Sequence, residues 1–326
     1  MNREKFIQGL WSLQPEGFEM AAISLFRYQW ERNDVYQKYA KAIGIEDPSA
    51  VTEVNQIPFL PISFFKSHVV RSSPELPTQY FDSSSTTGQI PSKHWISDIK
   101  LYERSFLTHF MMRYGHPSQY RILALLPSYL ERQHSSLVYM VEYLMKASGH
   151  SDNSFFLNNF SDLFKKLQDQ TSAPTLLFGV TFALLDFTEQ YGCVLDNTTI
   201  IETGGMKGRG KEPIRAEVHH LLKSRTGAVI HSEYGMTELF SQAYSEEDEI
   251  FQCPPWMQVV ARETDDPLTL RLTGGRGVLN IFDLANFDSC AFIATDDLAE
   301  VMARDRFKVL GRLSMSETRG CSLLYT

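Results

Sequence analysis

Apolar positions follow two rhythms along the chain. Up to about residue 56 they recur at helical spacing. Phe18, Ala21, Ala22, Leu25, Phe26 and Tyr28 share one helix face, and Val35, Tyr36, Tyr39, Ala40 and Ile43 share another. Pro58, Pro61 and the cluster Phe59-Leu60-Pro61-Ile62-Ser63-Phe64-Phe65 break that spacing and read as an extended entry into the core. From residue 97 helix-type and strand-type segments alternate. Ile99 to Met112 reads as helix, Arg121 to Leu126 as a buried strand ended by Pro127, and Ser135 to Met145 as helix. Thr175 to Val180 is a strand, Phe182 to Tyr191 a helix, and Thr199 to Glu202 a strand stopped by Gly204-Gly205. Pro213 to Leu222 reads as a helix with Pro in its first turn, followed by a strand from Ala228 to His231. This alternation predicts an α/β fold whose largely parallel sheet is covered by helices on both faces. After residue 256 the short runs Val259 to Ala261, Leu268 to Leu272 and Val278 to Phe282 predict a small β-rich subdomain.

One stretch fits neither rhythm. Asp82-Ser83-Ser84-Ser85-Thr86-Thr87-Gly88-Gln89-Ile90-Pro91-Ser92-Lys93 runs five hydroxyl side chains into a glycine, with a lysine in the same loop. Ser and Thr compete locally for backbone hydrogen bonds, and Gly and Pro punctuate, so the stretch makes poor helix or strand. Hydroxyls, turn N–H groups and a cation together suit phosphate. The spacing is not that of the Gly-Lys phosphate loop, and a solvated Ser/Thr linker has the same composition.

Composition narrows the partners. The 326 residues are 43% hydrophobic and 21% charged, as for a globular protein with a sizeable core. A formal net charge of −8 disfavours nucleic acid and anionic membrane, which select basic patches. No apolar run approaches the roughly 20 residues of a membrane span, and the charged start Met1-Asn2-Arg3-Glu4-Lys5 is unlike a signal peptide. The cysteines Cys193, Cys253, Cys290 and Cys321 make no C-x-x-C pair. Free thiols without a targeting signal suit the cytoplasm.

In an open α/β sheet, ligands bind beyond the carboxyl ends of the strands. Several predicted loops lie there. Thr203-Gly204-Gly205-Met206-Lys207-Gly208-Arg209-Gly210 allows a flat ring close to the backbone. Glu233-Tyr234-Gly235-Met236-Thr237-Glu238 offers a stacking ring and a hard oxygen ligand for magnesium. Ala294-Thr295-Asp296-Asp297-Leu298 is expected to put two carboxylates in a turn, and Lys308-Val309-Leu310-Gly311-Arg312 sets a cation after a glycine.

In this order, Ser84-Ser85-Thr86-Thr87-Gly88, Tyr234-Gly235-Met236-Thr237-Glu238, Thr295-Asp296-Asp297 and Gly311-Arg312 resemble the signature series of the AMP-forming adenylating enzymes, the acyl-CoA synthetase and luciferase-like superfamily. A narrower likeness rests on Ile57-Pro58-Phe59-Leu60-Pro61, Pro127-Ser128-Tyr129-Leu130-Glu131-Arg132-Gln133, Glu202-Thr203-Gly204-Gly205-Met206-Lys207-Gly208 and Arg319-Gly320-Cys321-Ser322-Leu323. These resemble the acyl-protein synthetases of the LuxE type, over nearly the whole chain.

The resemblance implies an adenylating-enzyme N-terminal core with mixed, largely parallel sheets and a C-terminal lid that is absent or vestigial. Residues 1–326 would form a single adenylation domain, with a helical segment 1–56, an ATP-binding core 57–312 and a tail 313–326. It implies ATP and Mg²⁺ as cofactors and a carboxylic acid, of the fatty class, as substrate, activated to acyl-AMP and passed to a cysteine as a thioester. By position, Ser83, Ser84, Ser85, Thr86, Thr87, Gly88 and Lys93 would hold the outer phosphates, and Gly204, Gly205 and Tyr234 would line adenine. Thr237 and Glu238, in one motif with Gly235, would serve the α-phosphate and the metal. Asp297 and Arg312 would bind ribose, Cys321 would take the acyl group, and His134 would face the acyl site. An acyl reductase or other acceptor protein is the implied partner. Ser85 and Asp296 stand where the superfamily usually has glycine, and the chain stops near where a lid would begin. Two alternatives keep the same motifs, an aryl- or acyl-CoA ligase using a lid from another chain and a non-catalytic nucleotide-binding subunit.

Overall fold

The computed structural model describes residues 1–75, 77, 79–83, 90–126, 134–169, 171–204, 214–246 and 248–313. The apolar runs read as strands lie side by side, with one further strand, Ser154–Phe156, that the apolar pattern did not mark. Ser154–Phe156 forms the edge, followed inward by Arg121–Leu125, Thr175–Gly179, Thr198–Glu202 and Val229–Tyr234, all parallel. Their side chains alternate between two cores. Ile122, Ala124, Leu176, Phe178 and Ile201 face one, and Leu123, Leu125, Leu177, Ile200 and Ile230 the other. Burial on both faces explains the continuous apolar runs.

At Val229–Tyr234 the sheet changes sense. Ala243–Ser245, Phe251–Gln252, Arg306–Arg312, Phe292–Ala303, Gly275–Asp283, Met257–Arg262 and Leu270–Arg271 continue it as antiparallel strands. The β-rich region expected after residue 256 is therefore part of the antiparallel half of one mixed sheet, 13-stranded among the described residues. The expected turn at Ala294 to Leu298 is instead the middle of the strand Phe292–Ala303. Opposite Gly275–Asp283 the register jumps from Ala294 to Leu298, so Thr295, Asp296 and Asp297 bulge from that ladder; on the other side Asp297 pairs with Arg312, and Asp296 O accepts from Leu313 N at 2.8 Å.

Helices form where capping and spacing agree. Asp98 caps Ile99–Tyr114 by accepting from Lys100 N, and Gly115 closes it at φ +80°. Ser135 caps Ser136–Ser148 by accepting from Val138 N. These two helices pack on the first core, while Thr181–Gln190 and Arg215–Thr226 cover the second. The N-terminal helices Arg3–Leu10, Phe18–Arg32 and Asp34–Ala42 join the first core against the antiparallel strands, with Phe18 edge-on to Phe282 and Tyr36 stacked on Phe292. Of the extended entry, Leu60–Pro61 pairs parallel with Phe292–Ala303, and Phe64–Ser67 turns back into a short helix. Gln79–Asp82 and Lys93–Ile96 form a separate hairpin whose last pair, Asp82 and Lys93, brackets the hydroxyl stretch.

Candidate active site

Tyr234 ends the last parallel strand, and two short strands separate it in the sheet from those bearing Arg312 and Asp297, so its side chain makes the contact. The Tyr234 hydroxyl donates to Asp297 Oδ2 at 2.7 Å. Asp297 and Arg312 are direct partners across the antiparallel ladder, and Arg312 Nε lies 3.5 Å from Asp297 Oδ1. Burial pushes the Asp297 carboxyl above its ordinary range, and the Arg312 charge and the Tyr234 hydroxyl oppose that. Arg312 keeps 64% of its side chain exposed, so its guanidinium remains open to a ligand. The Tyr234 ring is only 7% exposed, packed on Phe251 and Phe307. It presents its hydroxyl to the site and not a free face for stacking.

Thr237 and Glu238 sit on the turn just beyond Tyr234, both buried. Burial raises the Glu238 carboxyl, while a hydrogen bond from Ser92 and the nearby Arg312 charge lower it. Ser92 belongs to the neck of the hydroxyl stretch. Its N–H donates to Ser83 Oγ at 2.9 Å, and its carbonyl accepts from Ser83 N at 3.0 Å. Four segments far apart in sequence thus meet: the neck Ser83–Ser92, the turn at Glu238, Asp297 and Arg312. Gly235 is exposed, and a Cβ there would lie 2.3 Å from Glu233 Oε1, so glycine lets the backbone pass over that carboxyl.

Lys93 is exposed beside this neck, with its ammonium 4.8 Å from the Tyr80 ring centroid. His134 stacks on the same Tyr80 ring at 4.3 Å, and its carbonyl accepts from Asp82 N at 2.9 Å. The structure therefore sets His134 against the hairpin, near Lys93. Gly204 has φ +71° and donates its N–H to Glu202 Oε1 at 2.8 Å. Ser84, Ser85, Thr86, Thr87, Gly88, Gly205 and Cys321 lie outside the described residues.

The family model of the acyl-protein synthetase LuxE matches residues 14–326. This chain belongs to the LuxE acyl-protein synthetase family. No curated protein matches it in sequence. Among solved structures, ATP-bound MatB from Rhodopseudomonas palustris is 16% identical with a TM-score of 0.54, over 72% of this chain and 47% of that one. An open conformation of 2-hydroxyisobutyryl-CoA ligase in complex with 2-HIB-AMP and CoA is 14% identical with a TM-score of 0.62, over 90% of this chain and 74% of that one. The same ligase in a postadenylation state with R3-HIB-AMP is 12% identical with a TM-score of 0.64. The LuxE-family chain thus has the fold of an adenylating-enzyme core and spans about half the length of MatB. Among the described residues no helix is long and apolar enough to cross a membrane.

Several residues that shape the LuxE-family site carry no role in the motif reading. Glu202 accepts from Gly204 N, from Ser232 Oγ at 3.0 Å and from Thr181 Oγ1, and pairs with Arg215 at 3.1 Å. It fixes the entrance to the glycine turn. Ser92 and His94 flank Lys93 in sequence, which is the one signal that could have found them. Asp283 and Asn286 have no such neighbour and reach the site only through the fold.

Proposed function

We propose that this chain activates a carboxylic acid with ATP and passes the acyl group to its own Cys321. The supporting observation is the contact of Tyr234, Asp297 and Arg312, with Glu238 and Ser92 beside them, because adenylating chemistry needs ribose, α-phosphate and outer phosphates held at once. The substrate carboxylate oxygen attacks the α-phosphorus, the bond to the β-phosphate oxygen breaks, and pyrophosphate leaves. The Cys321 thiolate then attacks the acyl carbon and AMP departs, leaving a thioester; the thiol proton goes to solvent.

In this reading Asp297 accepts from the ribose hydroxyls, kept in place by the Tyr234 hydroxyl, and Arg312 bonds the same sugar from its exposed side. Lys93, Ser83, Ser84, Ser85, Thr86, Thr87 and Gly88 hold the outer phosphates. Gly204 and Gly205 leave room for adenine, and Thr237 bonds the α-phosphate. Magnesium, when bound, supplies charge neutralisation on the phosphates. Glu238 fits such an ion, since a buried carboxyl raised by desolvation is restored to its charged form by a nearby cation. A fatty acid is the proposed acid, the cytoplasm the proposed compartment, and an acyl reductase or other acceptor protein the proposed receiver.

Isotope exchange between pyrophosphate and ATP, run with a set of carboxylic acids, tests the first step; exchange should require an acid, and none with any acid overturns adenylation. Labelled fatty acid with ATP should mark the wild type covalently and leave Cys321→Ser unmarked. Equal marking of both eliminates Cys321 as acceptor. Stoichiometric consumption of CoA instead would move the second step to a CoA ligase.

A further inference from the structure

The turn that carries Thr237 and Glu238 has no helix or strand of its own, yet its backbone is held from outside at successive positions. Thr237 O lies 2.8 Å from His94 Nδ1. Glu238 O accepts from Asn286 Nδ2 at 2.7 Å. Phe240 N and Ser241 N donate to Asp283 Oδ2 at 2.7 and 3.0 Å, and Ser241 Oγ donates to Asp283 Oδ1 at 2.6 Å. His94, Asn286 and Asp283 are all fully buried. We infer that His94 and Asn286 are positioning residues for the adenylation step, acting through the Thr237 and Glu238 carbonyls. The inference rests on the proposed roles of those two residues.

Hydrogen-bond chemistry fixes both orientations. A carbonyl only accepts, so His94 must carry its proton on Nδ1 and Asn286 must turn its amide nitrogen to Glu238. Burial lowers the proton affinity of His94 to a pKa of about 4, so the ring is neutral and Nε2 is an acceptor. The Asn286 side chain raises the proton affinity of the imidazole against the effect of burial, and among the described residues neither His94 Nε2 nor Asn286 Oδ1 meets a hydrogen-bond donor. An apolar pair of similar shape would relieve those two atoms but would leave the Thr237 and Glu238 carbonyls without their donors. What the polar pair adds is the placement of two adjacent carbonyls. The His94 ring is itself held edge-on by Phe65 and tilted against Phe240, so it cannot swing away from Thr237. Because His94 follows Lys93, one side chain joins the end of the proposed phosphate loop to the proposed α-phosphate turn. The two would keep one spacing, and displacement of a reacting group by about 1 Å can cost roughly a hundredfold in rate.

Acid-dependent pyrophosphate exchange on the full chain tests this with His94→Phe, His94→Asn and Asn286→Ala, alongside thermal melts. His94→Phe and Asn286→Ala should lower kcat about tenfold or more with KM for ATP within roughly threefold, and His94→Asn, which keeps a donor near the Nδ1 position, should recover most of it. In a Glu238→Gln background, Asn286→Ala should cost no more than about twofold further. Wild-type kcat in folded variants, or full multiplicative losses in that background, overturns the inference. Absence of exchange in the wild type overturns the adenylation reading instead. Amide hydrogen exchange over residues 236–242 then decides the clamp on its own: protection should fall about tenfold in His94→Phe and Asn286→Ala, and unchanged protection rejects it.

Discussion

Glu233 sits one residue before the proposed ribose ligand's partner, Tyr234, and is buried. Desolvation, and then the Glu202 charge, push it up to about 8. An unfolded Glu loses its proton near 4.3, so between those values the folded chain binds more protons and stability falls as pH rises. His94 and His109 act in the opposite direction. Burial lowers them to about 4 and about 3, against about 6.5 unfolded, so their share of stability is lost as pH falls below 6.5. Denaturation at a series of pH values should therefore show stability falling from pH 6.5 to 8, by at most about 1.4 kcal/mol per unit from this group. Glu233→Gln should flatten most of that slope; an unaltered slope means the carboxyl is already ionised. Tyr234→Phe leaves the largely buried Asp297 with one partner fewer and should cost about 1–3 kcal/mol, with KM for ATP raised severalfold. At this scale the sequence carried more than isolated residues suggest. Asp297, Arg312 and Glu238 are each ordinary surface types, and only their order along the chain singled them out. The carboxylates that shape the site from beneath, Glu202, Glu233 and Asp283, were not legible, because their roles depend on which strand or loop lies next to them.

The loop from Asp283 to Ala291 shows how whole elements are locked together. Gln29, on the helix Phe18–Arg32, donates to Asn286 O at 3.0 Å and Phe287 O at 2.9 Å and accepts from Ala291 N at 2.9 Å. Asn33 donates to Ser289 O, Ser72 Oγ also donates to Ser289 O, and Arg3 pairs with Asp288. Gln29→Leu removes three buried bonds and strands their backbone partners. Chemical denaturation should report a loss of about 3 kcal/mol or more, and a loss under about 1 would mean that the loop is held without it. Four of the parallel strands were readable because burial writes them as apolar runs, while Ser154–Phe156, half-buried at the edge, was not read. The helix Phe160–Gln168 was not read, although Phe160, Leu163, Phe164 and Leu167 carry helical spacing. The strand Phe292–Ala303 was not readable at its centre, since Thr295-Asp296-Asp297 resembles turn chemistry and bulges from one ladder, with only the strand Arg306–Arg312 and Leu313 meeting it on the other side.

Across the molecule, the parallel and antiparallel halves share one sheet and one apolar core, in which Ile122 and Leu176 belong with Val259 and Ile281. Calorimetry should accordingly give a single transition with equal calorimetric and van't Hoff enthalpies, and two resolved transitions would show the halves to be separable. The N-terminal helices bury Leu10, Phe18, Phe26 and Tyr36 in that same core, against rings such as Phe282, Phe287 and Phe292. A nascent chain still on the ribosome at residue 250 has therefore made those helices but not the surface that covers them. Their greasy sides must wait through the synthesis of the last strands, which makes this protein a natural client for chaperones that shield early segments during translation.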